Sequence, residues 1–198
     1  MAKNKTRMCR AACCALAACF LTGPASAQVP TSRAAPTDYS FLRGSQWYVP
    51  SATLPAANLI LKNDAVRPVL DQTVWDIIGY QKGYFWGRSV ASFTQPVSGK
   101  PVTGVSCSRF LGSVTPSGRV YITFVPDGDT TTSSAVTGIG TLSSSVTQGW
   151  TFEMQMATGS AFVLAHWSYM YQCKAGQACE ARLPGTRLSL QDFLAQCS

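Results

Sequence analysis

From Thr73 onward, apolar and polar residues alternate with a period of two, in short runs broken by Gly, Pro, Asp and Ser. That rhythm predicts strands joined by turns. Thr73–Tyr80 and Tyr84–Phe93 form a hairpin about Gln81-Lys82-Gly83. Gln95–Gly104 reads as a Pro/Gly loop, and Ser106–Val114 as the next strand. Thr115-Pro116-Ser117-Gly118 has Pro and Gly where a β-turn uses them, and Arg119–Val125 follows as a strand. Ala135–Leu142 is a weaker strand holding Gly138 and Gly140. Trp150–Ala157 and Ala161–Gln172 make a last pair about Thr158-Gly159-Ser160. Near the end, Ser189 is placed as an N-cap with Asp192 three residues on, and Leu190, Phe193 and Leu194 give a short helix its apolar face. Before Thr73, the stretch Trp47–Leu70 is interrupted by Pro50, Pro55 and Pro68, with one short element expected near Leu59-Ile60-Leu61.

The expected fold is all-β: a single antiparallel barrel or sandwich of about seven or eight strands, closed by a short C-terminal helix. No run in the middle is a helix long enough for parallel crossovers. Strand alternation divides the side chains into two sets. Ile77, Phe85, Phe110, Val120, Ile122, Phe124, Phe152, Met154, Met156, Val163 and Trp167 form an apolar set suited to the core. Asp76, Tyr80, Tyr84, Trp86, Arg88, Arg109, Arg119, Tyr121, Glu153, His166 and Ser168 form a mixed set, facing water or, in part, a cavity.

The beginning of the chain changes the picture of compartment. Lys3, Lys5, Arg7 and Arg10 precede an apolar run, Ala11–Leu21, and then Ala25-Ser26-Ala27. This is the layout of a secretory signal peptide, with cleavage after Ala27. The run is too short to span a membrane, which takes ~20 apolar residues. A minor alternative is a lipoprotein box at Leu16-Ala17-Ala18-Cys19, with the lipid on Cys19. The domain plan is then a signal over 1–27, a flexible linker over 28–45 and one β domain over 46–198, in the periplasm or secreted. No transmembrane segment is expected in the mature chain.

Charge and cysteines follow that division. Four of the 16 Lys and Arg precede the cut and all nine acids follow it, so the net charge falls from +7 to +3. The remaining twelve cations are scattered singly, which argues against a nucleic-acid partner. Of eight cysteines, four remain after cleavage: Cys107, Cys173, Cys179 and Cys197. Two disulfides are expected, Cys173 with Cys179 across a short loop and Cys107 with Cys197, with the other pairings open. Zinc fits poorly, because there is no C-x-x-C pair and His166 is the only histidine. Asp127-Gly128-Asp129 is explained by a turn and falls short of a calcium loop. No cofactor is expected.

Candidate chemistry is sparse. Tyr80, Tyr84, Trp86, Arg88 and Tyr121 would suit an aromatic-lined pocket with a few polar groups. Glu153, His166 and Asp76 are the candidates for acid–base work, each also explained as an ordinary strand residue, Asp76 as the partner of Arg88. Gly87-Arg88-Ser89-Val90-Ala91 is no nucleophile elbow, since it lacks the second glycine. Over roughly Thr73–Gln172 the hairpin-rich, aromatic pattern is similar in kind to calycin-type secreted barrels. That likeness implies architecture alone and transfers no residues. Three functions follow: a barrel binding a small apolar or aromatic molecule; a barrel enzyme of the isomerase, cyclase or lyase kind; or an interaction or inhibitor protein acting through a loop such as Pro126–Ser134.

Overall fold

The structure is a computed structural model that describes residues 38–58, 66–97, 100–128, 135–158 and 164–197. The proposed signal, Leu59-Ile60-Leu61, Val163 and all but the first residues of the Pro126–Ser134 loop lie outside the described residues. Nine strands run in order: β1 (Ser45–Tyr48), β2 (Thr53–Asn58), β3 (Val66–Gln81), β4 (Tyr84–Val97), β5 (Lys100–Val114), β6 (Arg119–Pro126), β7 (Val136–Ser145), β8 (Gly149–Thr158) and β9 (Leu164–Cys173). Each of β3 to β9 pairs antiparallel with the next strand along, except that β9 meets β1 and β2, which in turn pair with β3. β1 and β2 share one position in the ring, so the nine strands close an 8-strand antiparallel barrel. Two short helices, α1 (Ala178–Ala181) and α2 (Leu190–Leu194), follow.

The register gives the barrel its width. A walk along paired residues starts at Tyr80 and passes Phe85, Gly112, Ile122, Gly138, Met156, His166 and Ala56. It returns to β3 at Arg67, so it moves from residue 80 to residue 67, and one residue of that shift belongs to a bulge between Ile77 and Gly79. A stagger larger than the strand number means strongly tilted strands and a roomy interior. Rings fill much of it. Trp75 lies 5.4 Å from both Phe124 and Phe152 and 5.9 Å from Phe110. Trp47 meets Phe152 edge-on at 4.5 Å. The Trp47 indole N–H donates to Ser45 Oγ, and that hydroxyl donates to the Leu42 carbonyl, so this core carries no orphan donor at Trp47.

Small inward positions make the fit possible. Phe85 lies over Gly112, where an added Cβ would stand 2.7 Å from its ring carbon Cε2. At Gly140 a Cβ would collide with the Glu153 carbonyl and Met154. The Lys82-Gly83 turn between β3 and β4 has positive φ at both residues (49° and 87°), the conformation whose twist matches a hairpin.

The structure extends and corrects the expected elements. Gln95–Gly104 is not a loop. β4 runs to Val97 and β5 starts at Lys100, with Pro96 paired to Pro101. Residues 38–45, placed with the linker, carry buried Tyr39, Leu42 and Ser45. Tyr39 and Phe41 pack on Trp150 at 5.9 and 4.7 Å across one barrel end. β9 has the opposite phase to the expected one: Trp167 is exposed, and Ser168 and Met170 are buried. Sorting by bulk put the indole inside, whereas the pairing of Ser168 with Met154 and Met170 with Phe152 sets the phase.

The C-terminal segment packs outside the barrel. Leu183, Leu190, Phe193 and Leu194 bury against Val74 and Val90 on the outer face of β3 and β4. Ser189 caps α2 by accepting from the Asp192 N–H. Cys107 and Cys197 pair at a Cα separation of 5.6 Å and Cys173 and Cys179 at 6.0 Å, the first closing a separation of 90 residues.

Two outcomes check this packing. Gly112→Ala should lower unfolding stability by about 1–3 kcal/mol through overpacking. Gly104→Ala, where a Cβ meets nothing within 4 Å, should stay near wild type in the same urea melts. Replacing Cys107 and Cys197 together with serine should cost about 2–5 kcal/mol and speed hydrogen exchange at Val74 and Val90. A doubly substituted protein with unchanged exchange there would show that α2 stays docked without its tether.

Candidate functional site

The inward residues fall into two unlike halves. At the end closed by Tyr39 and Leu42 they are apolar: Trp47, Ile77, Phe85, Ile122, Leu142, Phe152 and Met170. Further along the strands the inward positions turn polar. Asp71 and Thr73 on β3, Ser89 on β4 and Ser168 on β9 are all buried. Half-buried Phe93 and His166 complete this part, with their rings edge-on at 6.2 Å. β4 and β9 are not neighbours in the ring, so this contact reaches across the lumen.

Asp71 is the unusual member. It is 2% exposed, and its Oδ1 accepts from Thr73 Oγ1 at 2.9 Å. Its Oδ2 is buried and has no hydrogen-bond partner. Desolvation pushes its pKa up to about 7, and the Thr73 hydrogen bond only partly offsets that. Its backbone N–H donates to Ala52 at 3.0 Å, which holds it at the junction of β1 and β2. His166 is shifted down by burial, against an upward pull from its contact with the Trp167 carbonyl.

The sequence candidates are distributed elsewhere. Tyr80 is inward and packs against the apolar core near the closed end. Tyr84, Trp86 and Tyr121 are exposed on the outer surface. The Trp86 indole covers Gly79 on the neighbouring strand. Arg88 is also outward and binds Asp76 at 3.1 Å. Glu153 is exposed on β8 and His166 is inward on β9, so Asp76, Glu153 and His166 do not share a wall. Asp127 pairs with Arg109 at 3.2 Å. No cluster of His, Cys, Asp or Glu able to hold a metal occurs among the described residues. Asp71 carried a readable signal: alternation extended back from Trp75 and Thr73 puts it on the inner face.

No helix among the described residues is long and apolar enough to cross a membrane. The outer surface carries charged Arg88, Arg109, Arg119 and Glu153 alongside exposed Leu111, Tyr121 and Ile139. Compared with family models, curated proteins and solved structures, the chain matches none.

The buried acid makes stability depend on pH. An acid with its folded pKa raised from 3.8 to about 7 keeps its proton in the fold while the unfolded chain releases it. Stability therefore falls as pH rises through that window, by roughly 4 kcal/mol in all. His166 acts oppositely, since folding lowers its affinity for a proton and stability rises with pH up to its ordinary 6.5. Asp71→Asn removes only the first effect. Urea melts should show the variant gaining on wild type between about pH 4 and pH 7. Parallel profiles would mean that Asp71 is ionised in the fold.

Proposed function

We propose that the protein is an exported binding barrel that takes a small, partly apolar molecule at the polar end of its lumen. The observation that carries the reading is the division of the interior. An aromatic plug fills one half, and the other half holds Asp71, with an unused carboxyl oxygen, beside Thr73 and the facing rings of Phe93 and His166. Such a set suits a ligand with a flat apolar body and one hydrogen-bonding group: the rings supply contact area, and Asp71 Oδ2, as acid or as carboxylate, fixes orientation. The signal-like start of the chain and two cysteine pairs at disulfide distance support an oxidising, exported setting. The acid–base reading gains less support, because Asp76 and Glu153 face outward on separate strands.

The probe for a first test is N-phenyl-1-naphthylamine, a flat apolar amine with one N–H that brightens on leaving water. Purified protein should enhance its fluorescence, and Phe93→Ala should weaken binding about tenfold, or 1.4 kcal/mol. His166→Ala should weaken it in the same direction. No enhancement, or both variants binding as tightly as wild type, overturns the lumen as the ligand site.

A further inference from the structure

The two flanks of the barrel differ outside as much as the two halves differ inside. In the ring of eight positions, β7 and β8 lie opposite β3 and β4. The β3–β4 flank is covered by the chain's own C-terminal segment. The opposite flank carries two adjacent cross-strand rows with no other described segment over them. One row is Tyr121, Ile139, Gln155 and Trp167; the other is Arg119, Thr141, Glu153 and Tyr169. Tyr121 and Ile139 are 52% and 55% exposed, and Trp167 and Tyr169 are each 39% exposed. The Trp167 and Tyr169 rings lie near-parallel, with centroids 6.4 Å apart. Between the rows is a depression of about 520 Å³, lined by Arg119, Ile139, Thr141, Glu153, Gln155 and Trp167 among others.

We infer that this flank binds a neutral oligosaccharide, its sugar faces on Trp167 and Tyr169 and its hydroxyls on Arg119, Glu153 and Gln155. Large exposed rings in a row are ordinarily covered, and exposed apolar area of this kind marks a binding surface. The polar groups between the rings select the occupant. The side chains of Arg119, Thr141, Glu153 and Gln155 hold no hydrogen bond or ion pair with other described residues. Their donors and acceptors are therefore available. One cation and one anion leave the surface without net charge, so neither a polyanion nor an anionic membrane is favoured. A purely apolar partner would strand Arg119 and Glu153 without water or counter-charge, at a cost in free energy. A polyhydroxylated ring system has apolar faces and alternating donors and acceptors, and so meets both kinds of group at once. The closed barrel presents no free sheet edge here, which excludes capture of an extended peptide by strand addition.

The probes are cellohexaose and chitohexaose, two neutral hexasaccharides, titrated calorimetrically into the full protein. At least one should bind. Trp167→Ala and Gln155→Ala should each weaken it about fivefold or more, while both variants keep wild-type circular dichroism. Phe93→Ala should leave sugar binding unchanged, and Trp167→Ala should leave N-phenyl-1-naphthylamine binding unchanged, so this site and the lumen stand or fall separately. Failure of both sugars to bind overturns the inference, as does binding that survives Trp167→Ala. Sedimentation showing wild-type dimers and Trp167→Ala monomers overturns it too, because a second copy would then cover the face.

Discussion

The packing of large rings against inward glycines is the constraint on which the rest of this barrel depends. A closed eight-position barrel with this much stagger encloses more space than aliphatic side chains from one layer would fill. Trp47, Trp75, Phe85, Phe110, Phe124 and Phe152 supply the volume. Gly112 and Gly140 yield the space that lets Phe85 and Met154 cross to the middle. Interiors are packed at crystal-like density, so the rings and the glycines have to be chosen together. A ring alone would clash, and a glycine alone would leave a cavity.

Once the middle is solid, function moves to what the plug leaves over. At one end Tyr39, Phe41 and Leu42 seal the apolar half. Toward the other end the inward positions hold hydroxyls, an acid and an imidazole, which the plug does not need. Outside, the closed barrel offers no backbone edge, so recognition falls to side-chain rows. One flank already has its occupant in the chain's own α2. Its opposite shows rings and unpaired polar groups side by side.

Much of this was legible in the sequence, and the reasons for the remainder are physical. Alternation identified the β6 and β8 inward residues, because each strand has water on one side and the packed interior on the other. The Ser189 cap was legible because a cap and its helix are local in sequence. β9 was read out of phase, because Trp167 is bulkier than Ser168 and bulk is a proxy for burial that register can overrule. The bulge between Ile77 and Gly79 likewise puts Tyr80 inward, which no two-residue period within β3 foretells. The aromatic pocket expected from Tyr84, Trp86 and Tyr121 depended on which face those strands turn inward, and they turn the apolar set inward. Asp71 lies ahead of the clear alternation that begins at Thr73, whereas β3 itself begins at Val66.

The position of Asp71 has a structural logic that bears on its chemistry. β1 and β2 share a slot, so the chain must break between them, and the break at residues 49–52 faces β3 at Asp71-Gln72-Thr73. Those three residues hold the break from both sides. The Asp71 N–H reaches Ala52, and the Thr73 carbonyl accepts from the Val49 N–H. On the outer face, Gln72 Nε2 donates to the Val49 carbonyl, while its Oε1 accepts from the Gly185 N–H of the C-terminal segment. Gln72 thus ties the strand break to the segment that carries α2. The backbone at the break is satisfied without the Asp71 carboxyl, which accepts from Thr73 through Oδ1 and has no partner at Oδ2 among the described residues. A neutral side chain of the same shape would hold the fold at lower cost at neutral pH, since Asp71 stays protonated until about pH 7 and loses stability on the way there. The carboxyl therefore has no duty in the strand break, and its free oxygen is the contact point on which the proposed ligand site relies.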